Sequence, residues 1–506
     1  MQRRIPVLIA AFGLLLALPA PLRAIDIQVT LLGDATDPNP GDGICDIDPS
    51  TPAPVLECTV RAAVQTANAL AGPDKILLRE ANHVLTLVGA GEDDAETGDL
   101  DVTSEITIEG PDYIAGLGYS TSFIDAKKLK DRIFDVQAGG MLTLNGVSLL
   151  FGKTAKDDFD AAAPGEVSGG CIRSAGTTAL DEIFLFRCSS SDDGGCLSVI
   201  GGTTTVINSI FSACRAKNEG GAVEIVAPGS ATLTNVAAGA CQAGAGGAIA
   251  ARGALTLDNS TLTINKAKRG GAAAVLGAAS ATITHSTLTT NGTSNLASET
   301  TGTVTVTNSI LSGAKTDCVG PVVSGGGNLE EETSCAFTGP NDQQNQDPLL
   351  LPLAFNNTTI PVHGLAETSP AIDHGLDPAD ACLDRDSIDR LRVDIASVGV
   401  SVVDSGAVEF GGTSGSPTFT STPDTDAIAD TAYTYPVVLL QGRAACRVFS
   451  LTVAPTGMTI DPASGLIAWT PAGDQVGTHA VKVLVSDSSG ASNTQSFDVV
   501  VAAAAP

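Results

Sequence analysis

The stretch NEGGAVEIV, residues 218–226, decides the fold. A glycine pair, a small residue and a short β-branched run return at Gly169-Gly170, Gly194-Gly195, Gly220-Gly221, Gly246-Gly247 and Gly270-Gly271, at intervals of 25, 26, 26 and 24 residues. No helical periodicity accompanies this repeat. A period of that size predicts a solenoid in which each repeat is one coil and its neighbours complete the core. After each pair, alternation puts Ile172, Leu197, Val223, Ile249 and Ala273 inward, and Arg173, Ser198, Glu224, Ala250 and Ala274 outward. The outward row mixes charge, hydroxyl and methyl groups and reads as no column of acid or base. The glycines belong where the chain turns sharply, since Gly reaches positive φ without steric cost.

A second register agrees. Aligning TTTVINS, ATLTNVA, LTLDNST, ATITHST and VTVTNSI puts Asn208, Asn235, Asn259, His285 and Asn308 in one column. Val206, Leu233, Leu257, Ile283 and Val306 stand two residues earlier. Parallel strands about 4.8 Å apart turn the second set into an inward row and the first into a side-chain ladder at a turn. His285 then reads as a ladder member, not a catalyst or metal ligand.

The chain has 506 residues, 43% hydrophobic and 16% charged, which describes a folded protein of more than one domain. Aromatics make up only 4%, so the core is built from aliphatic residues, Ala and Thr. A formal charge of −29 argues against nucleic acid or an anionic membrane as partner. MQRR followed by IPVLIAAFGLLLALPAPLRA has the pattern of a removed secretory leader over 1–24. No other apolar run reaches spanning length, so a secreted or cell-surface chain with no membrane span after leader removal is expected. No C-terminal sorting motif is recognised.

On these features the chain resembles bacterial right-handed parallel β-helix surface proteins. CTVRAAVQTAN (58–68), DKILL and EDDAETGDLDVTSEITIEG are similar to the N-terminal CSLREA-type domain of that group. Thr59 and Val60 stand for its Ser and Leu, and Ala62 for its Glu, while Cys58, Arg61, Asn68 and Gly98 to Asp101 keep the pattern. Val60, Ala63, Val64, Ala67 and Leu70 form an apolar helical stripe suited to covering the open first coil. GGGNL (325–329), DPLLLPLA from Asp347, HGL (363–365), SPAIDHG from Ser369 and GAVEF (406–410) resemble a choice-of-anchor C-terminal cap. The family's Asp-Gln-Arg-Gly-x-x-Arg run corresponds to Asp384, Arg385, Asp386, Ser387 and Arg390. Val403 replaces a cysteine, which takes away the implied partner of Cys382. Beyond GGTSGSP (411–417), the segment APTGMTIDPASGLIAWTPAGDQVGTHAVKVLVSDSSG looks like a bacterial immunoglobulin-like module with Trp469 and Tyr433 or Tyr435 in its core.

The expected fold is therefore all-β: a right-handed parallel β-helix solenoid with an N-terminal helical cap, followed by a small Ig-like β-sandwich. The expected division is a leader (1–24), an N-terminal cap and first coils (25–130), the helix proper (131–324), C-terminal coils and cap (325–410), a linker (411–417) and the sandwich (418–506). Eleven cysteines in an exported chain imply bridges. Cys45 with Cys58 and Cys318 with Cys335 each close a short loop beside a cap. Cys171 and Cys196 share one register, as do Cys188 and Cys214, which leaves two accounts open: bridges between adjacent coils, or a stack of buried thiols.

The acidic stretches at 37–48 and 92–101 offer Ca²⁺ oxygen ligands, with Asp93, Asp94, Asp99 and Asp101 as candidates, but neither has EF-hand spacing. No cofactor is assigned beyond that. The fold resemblance allows two functions. One is a noncatalytic scaffold for adhesion, display or envelope interaction, whose partner is an unidentified extracellular glycan or surface protein. The other is a polysaccharide lyase or glycoside hydrolase. A lyase needs a base beside Ca²⁺ carboxylates and a hydrolase needs paired carboxylates. The sharpest candidate, Asp192-Asp193 in SSSDDGG, adjoins a glycine pair without a basic column and reads as a solvated turn. Phe184, Phe186 and Phe211 read as packed. No catalytic residue is assigned.

Overall fold

The computed structural model describes residues 25–50, 57–89, 91–111, 113–114, 119–155, 167–355, 360–376, 403–410, 418–439, 447–487 and 492–504. The leader, the 411–417 linker, Cys382 and the Asp384 to Arg390 run lie outside the described residues.

Three parallel sheets wrap one core. The first has eleven strands running from Asp26–Gln28 through Pro73–Leu77 and Thr203–Ile207 to Val323–Gly326. The second, also of eleven, runs from Asn82–Val84 through Phe184–Phe186 to Gln343–Gln344. The third has nine, from Leu100–Val102 through Ile172–Ser174 and Val223–Ile225 to Cys318–Val319. The chain visits first, second and third sheet in turn, and each strand pairs in parallel with its counterpart one coil on. This is a parallel β-helix. At about 4.8 Å per coil, eleven strands make a column on the order of 50 Å long.

Register places the sequence rows. Val206, Leu233, Leu257, Ile283 and Val306 stack inward on the first sheet, essentially without exposure. Burial of each contributes roughly 1.5–3 kcal/mol. Ile172, Leu197, Val223, Ile249 and Ala273 do the same on the third. The two glycines of each pair answer to different constraints. Gly194, Gly220, Gly246 and Gly270 take φ of +59°, +63°, +62° and +58°. Gly195, Gly221 and Gly247 have no room for a Cβ, which would collide with the carbonyl oxygen of the equivalent glycine in the next coil.

Asn208, Asn235, Asn259, His285 and Asn308 occupy the corner between first and second sheets, all with φ between +43° and +56°. Asn tolerates this left-handed conformation better than most residues. Asn235 Nδ2 donates to Asn208 Oδ1 at 2.6 Å, and Asn308 Nδ2 lies 3.0 Å from His285 Nε2.

The helix Val60–Ala69 is N-capped by Thr59, whose hydroxyl accepts from Ala62 N. It is buried from Val60 to Ala67 and lies over the first coil. The disulfide Cys45–Cys58 ties the segment that precedes it. At the far end, the disulfide Cys318–Cys335 and buried Phe337 finish the core. A strap made of 348–355 and 360–366 pairs antiparallel with itself through Leu350 with Leu365 and Ala354 with Val362. It sets Ile360 and Val362 against Ile210, Ala237 and half-buried Phe184.

The repeat cysteines correct both sequence accounts. The bridges are Cys171–Cys188 and Cys196–Cys214, so they join the two columns and not members of one column, nor are these cysteines free thiols. Each runs from the residue just before a third-sheet strand, once round the coil, to the start of the next corner. Residues stacked in one column project in parallel, whereas the columns meet across the corner with Cα atoms 5.5 and 5.6 Å apart. Cys318–Cys335 also leads from a third-sheet strand round to the segment after the second sheet, but Cys318 stacks on Leu296 and so stands one residue beyond the Cys171 column. Cys241 is a buried free thiol.

The C-terminal module stands on its own core. One sheet orders Asp426–Ile428, Ser492–Ala502, Gly477–Asp487 and Arg447–Val453; the other orders Tyr433–Pro436, Leu466–Trp469 and Thr459–Ile460. Apart from the first pair, the strands run antiparallel. Tyr433, Tyr435 and Trp469 are buried between the sheets.

Candidate functional site

The outward row of the third sheet reaches further than the glycine repeat disclosed. In register it reads Asp101, Asp135, Arg173, Ser198, Glu224, Ala250, Ala274, Ala297 and Val319. The N-terminal part is therefore a column rich in acid and base, correcting the mixed row read from sequence. The coils at 100–102 and 134–136 lack the glycine pair, so they escaped the alignment. The apolar-Asp-apolar triplets LDV and FDV were the available signal.

These charges neutralise one another. Arg132 Nη1 lies 2.9 Å from Asp99 Oδ2 and 3.2 Å from Asp135 Oδ2, and Arg173 Nη1 lies 2.5 Å from the same Asp135 oxygen. Asp101 accepts from Ala95 N at 2.9 Å and from Gln137 Nε2 at 3.2 Å. Burial pushes Asp99 well above the usual carboxylate range, Asp101 up to about 7 and Asp131 up to about 6. Asp93 and Asp94 are exposed, whereas Asp99 and Asp101 are buried, so the calcium candidates divide between two environments. Among the described residues no group of three or more His, Cys, Asp or Glu side chains is arranged to hold a metal ion.

The second constellation lies in the middle coils. Ser198 Oγ donates to Glu224 Oε2 at 2.6 Å. Burial, reinforced by the charges of Asp193, Glu219 and Asp192, pushes the Glu224 carboxyl up to about 8. Asp193 accepts from Glu219 N at 2.7 Å and is pushed up to about 6 by burial and its neighbour Asp192. Asp192 and Asp193 are thus half-buried members of a carboxyl cluster, a correction to the solvated turn. Arg252, which follows one third-sheet strand, reaches Glu219, which precedes another, through bonds of 2.8 and 2.6 Å. Arg269 and Glu299 form a similar pair at 3.0 Å further along. Two ion pairs therefore cross the face, over a floor where Glu224 is 5% exposed, Ala250 1% and Ser198 not at all. Glu224 can hold a proton at neutral pH, but it presents almost no surface to a substrate.

His285 is 5% exposed, with Nδ1 3.3 Å from Asp258 Oδ1, and stays within the ladder. A cleft of about 710 Å³ opens beside the cap helix, lined by Asp37, Gln65, Asn68, Asp93, Asp94 and Glu96 among others. Phe211 is buried, but Phe184 and Phe186 are half-buried on the outer face of the second sheet, stacked at 5.6 Å between centroids.

The family model described as "Putative Ig domain" matches residues 415–502. No curated protein matches the chain. Among solved structures, an endo-fucoidan hydrolase from glycoside hydrolase family 107 is similar at 22% identity. That match covers 18% of this chain and 14% of the hydrolase, with a TM-score of 0.16. The PKD domain from KIAA 1837 protein is similar at 22% identity over 19% of this chain and 93% of the domain, with a TM-score of 0.14. The chain thus spans a small part of the first of these proteins. Four disulfides fit an oxidising compartment, and no helix among the described residues is long and apolar enough to cross a membrane.

Proposed function

We propose that this chain is a secreted or cell-surface, noncatalytic scaffold: a β-helix rod that presents its surface and an Ig-like module for adhesion, display or envelope interaction. One observation carries the reading. The outward row of the third sheet carries the carboxyl groups of Asp101, Asp135 and Glu224, all three buried, and its middle coils are crossed by Arg252–Glu219 and Arg269–Glu299. A general acid must touch its substrate, and Glu224 is closed off from one.

The similarity of both ends to CSLREA-type and choice-of-anchor caps supports an envelope location, as do the four bridges. The division at 25–130, 131–324, 325–410 and 418–506 belongs to the same proposal, as does a structural role for the Asn ladder and for the bridges at the two caps. A hydrolase remains the alternative because Asp193 and Glu224 bring two carboxyl groups with raised pKa together.

The test is turnover. The purified chain, incubated with pectin, alginate and glycosaminoglycans in the presence of Ca²⁺, releases no reducing or unsaturated ends. Release that Asp193→Asn with Glu224→Gln removes would establish the hydrolase instead.

A further inference from the structure

The rod carries a second charged feature on a face the scaffold reading does not use. Between the second and third sheets each coil turns a corner, and strands Lys153–Thr154, Ser189–Ser190 and Arg215–Ala216 form a narrow ribbon there. Register continues it: Lys153 stacks on Ser189, Ser189 on Arg215, Arg215 on Gln242, and Gln242 on Lys266. Lys153, Arg215 and Lys266 therefore stand in one column on alternate coils, about 9.6 Å apart, with neutral side chains between. Arg187, Lys217 and Lys268 flank it and are exposed like the column itself. Lys127 and Lys128 extend the corner at one end and Lys315 at the other. Along the described coils from 119 to 355, every exposed Lys or Arg outside an ion pair lies in this corner.

Among the described residues, few acids border the stripe, and most of those are engaged elsewhere. Glu219 is paired with Arg252 and Asp131 is buried, whereas half-buried Asp192, whose Oδ1 accepts from the neutral Asn218 Nδ2 at 2.7 Å, keeps its charge. Half-buried Asp125 borders one end, and half-buried Glu331, accepting from Gly313 N at 2.6 Å, with exposed Glu332 borders the other. The chain as a whole is strongly acidic, but at physiological salt charges more than about 8 Å away are largely screened, so a ligand on the stripe meets a local positive field.

At the N-terminal end two of these cations lie over aromatic rings: Arg187 is 5.0 Å from the Phe186 centroid and Lys127 is 5.8 Å from that of Phe151. The two rings meet edge to face at 5.8 Å. An apolar ring beside a cation suits a sugar, which offers a hydrophobic face and, when acidic, an anion.

We infer that this corner binds a linear anionic polysaccharide laid along the rod axis, its carboxylate or sulfate groups meeting Lys153, Arg215 and Lys266 in turn. The acidic surroundings disfavour nucleic acid. Duplex DNA presents a phosphate about every 1.7 Å of its axis, far denser than this column, and its field would meet the remaining acidic surface. The inference deepens the scaffold reading and rests on it only for the extracellular source of the polymer.

The test is a binding titration of the purified chain against polygalacturonate and heparin, with neutral dextran and a DNA duplex for comparison, at low and physiological salt. Expected are binding to at least one acidic polysaccharide, weakening with salt, and none to dextran. Lys153→Glu, Arg215→Glu and Lys266→Glu together should weaken binding by about tenfold or more, and Lys482→Glu, in the C-terminal module, should leave it unchanged. Should the triple reversal misfold, the same three sites changed to Gln give the same reading at smaller size. No binding to either acidic polymer at low salt, tighter binding to DNA than to both, or binding indifferent to the three changes overturns the inference. Polymer length measured in the same samples separates the two readings: bound polymer that is cut sinks the scaffold and leaves the surface, whereas unbound, uncut polymer does the reverse.

Discussion

Replacing Arg61 with Met should open the N-terminal cap while leaving the coils intact. Arg61 is fully buried in the cap helix and uses all five of its N–H groups. Nε and one Nη2 hydrogen meet Asp34 at 2.7 and 3.3 Å. The remaining donors reach the carbonyl oxygens of Gly98, Ala95 and Asp99 at 2.7, 3.1 and 3.1 Å. Asp34 in turn accepts from Thr86 N and Leu87 N at 2.5 and 2.7 Å. One guanidinium thus fastens the helix directly to Asp34 and to the 95–99 stretch, and through Asp34 to Thr86 and Leu87.

Removing it strands a buried carboxylate and three carbonyls. Losing one partner of a buried ion pair costs about 3–5 kcal/mol, and the carbonyls hold the figure toward the upper end. About 4 kcal/mol corresponds to a roughly thousandfold shift in the opening equilibrium. Because Cys58 is tied to Cys45 immediately before the helix, the opened cap stays tethered and the loss is local. Amide hydrogen exchange is therefore the assay: protection over Val64–Ala67 should fall by about three orders of magnitude, with the strands at Thr203–Ile207 unchanged. Arg61→Lys should fall between the two, since an ammonium can meet Asp34 but lacks the planar fork that reaches three carbonyls. Full protection of the helix in Arg61→Met would refute the idea that this side chain holds the cap.

Two further outcomes follow from buried groups. Glu224 keeps its proton up to about 8 in the folded chain against an ordinary value of 4.5, so the folded state binds the proton more tightly and stability declines as pH rises between those values. Glu224→Gln has no proton to lose, and its melting temperature should fall less than that of the unaltered chain between about pH 5 and pH 8; parallel melting curves across that range would contradict the assignment. Ala222 stands in the column of Cys171 and Cys196, and Cys241 in that of Cys188 and Cys214, so Ala222→Cys should create a third bridge of the same route. Closing a loop of roughly 20 residues is worth about 3 kcal/mol, and non-reducing peptide mapping that finds both thiols free would show the register argument to be wrong.

The sequence disclosed most where a backbone constraint repeats. Gly194 and its equivalents must adopt positive φ, Gly195 and its equivalents must leave space for the next coil, and the Asn208 column must turn a left-handed corner. Those demands recur once per coil, so the period, the inward rows and the ladder could be read directly. Cys45 and Cys58 were legible for another reason, being neighbours beside one short helix. Cys318 and Cys335 were legible in the same way, as near neighbours beside the other cap, but the pairings among Cys171, Cys188, Cys196 and Cys214 were not, because adjacent repeats suggest partners in one column, whereas bonding geometry depends on where the corner brings two columns face to face.

The candidate surfaces were hidden for a related reason. Asp101 and Asp135 enter the third-sheet row from coils without the glycine signature, so only spatial register joins them to Arg173 and Glu224. The basic corner is harder still to read, because its length differs from coil to coil and Lys153, Arg215 and Lys266 fall at unequal separations in the chain. In a solenoid the sheets fix the period and the corners absorb the variation, so residues facing the core can be aligned by eye while those facing a partner cannot. The same division explains how a chain with a net charge of −29 holds a row of cations on alternate coils along one corner. Composition averages over all faces, whereas a ligand lying along the rod samples only the few side chains within a Debye length of one corner.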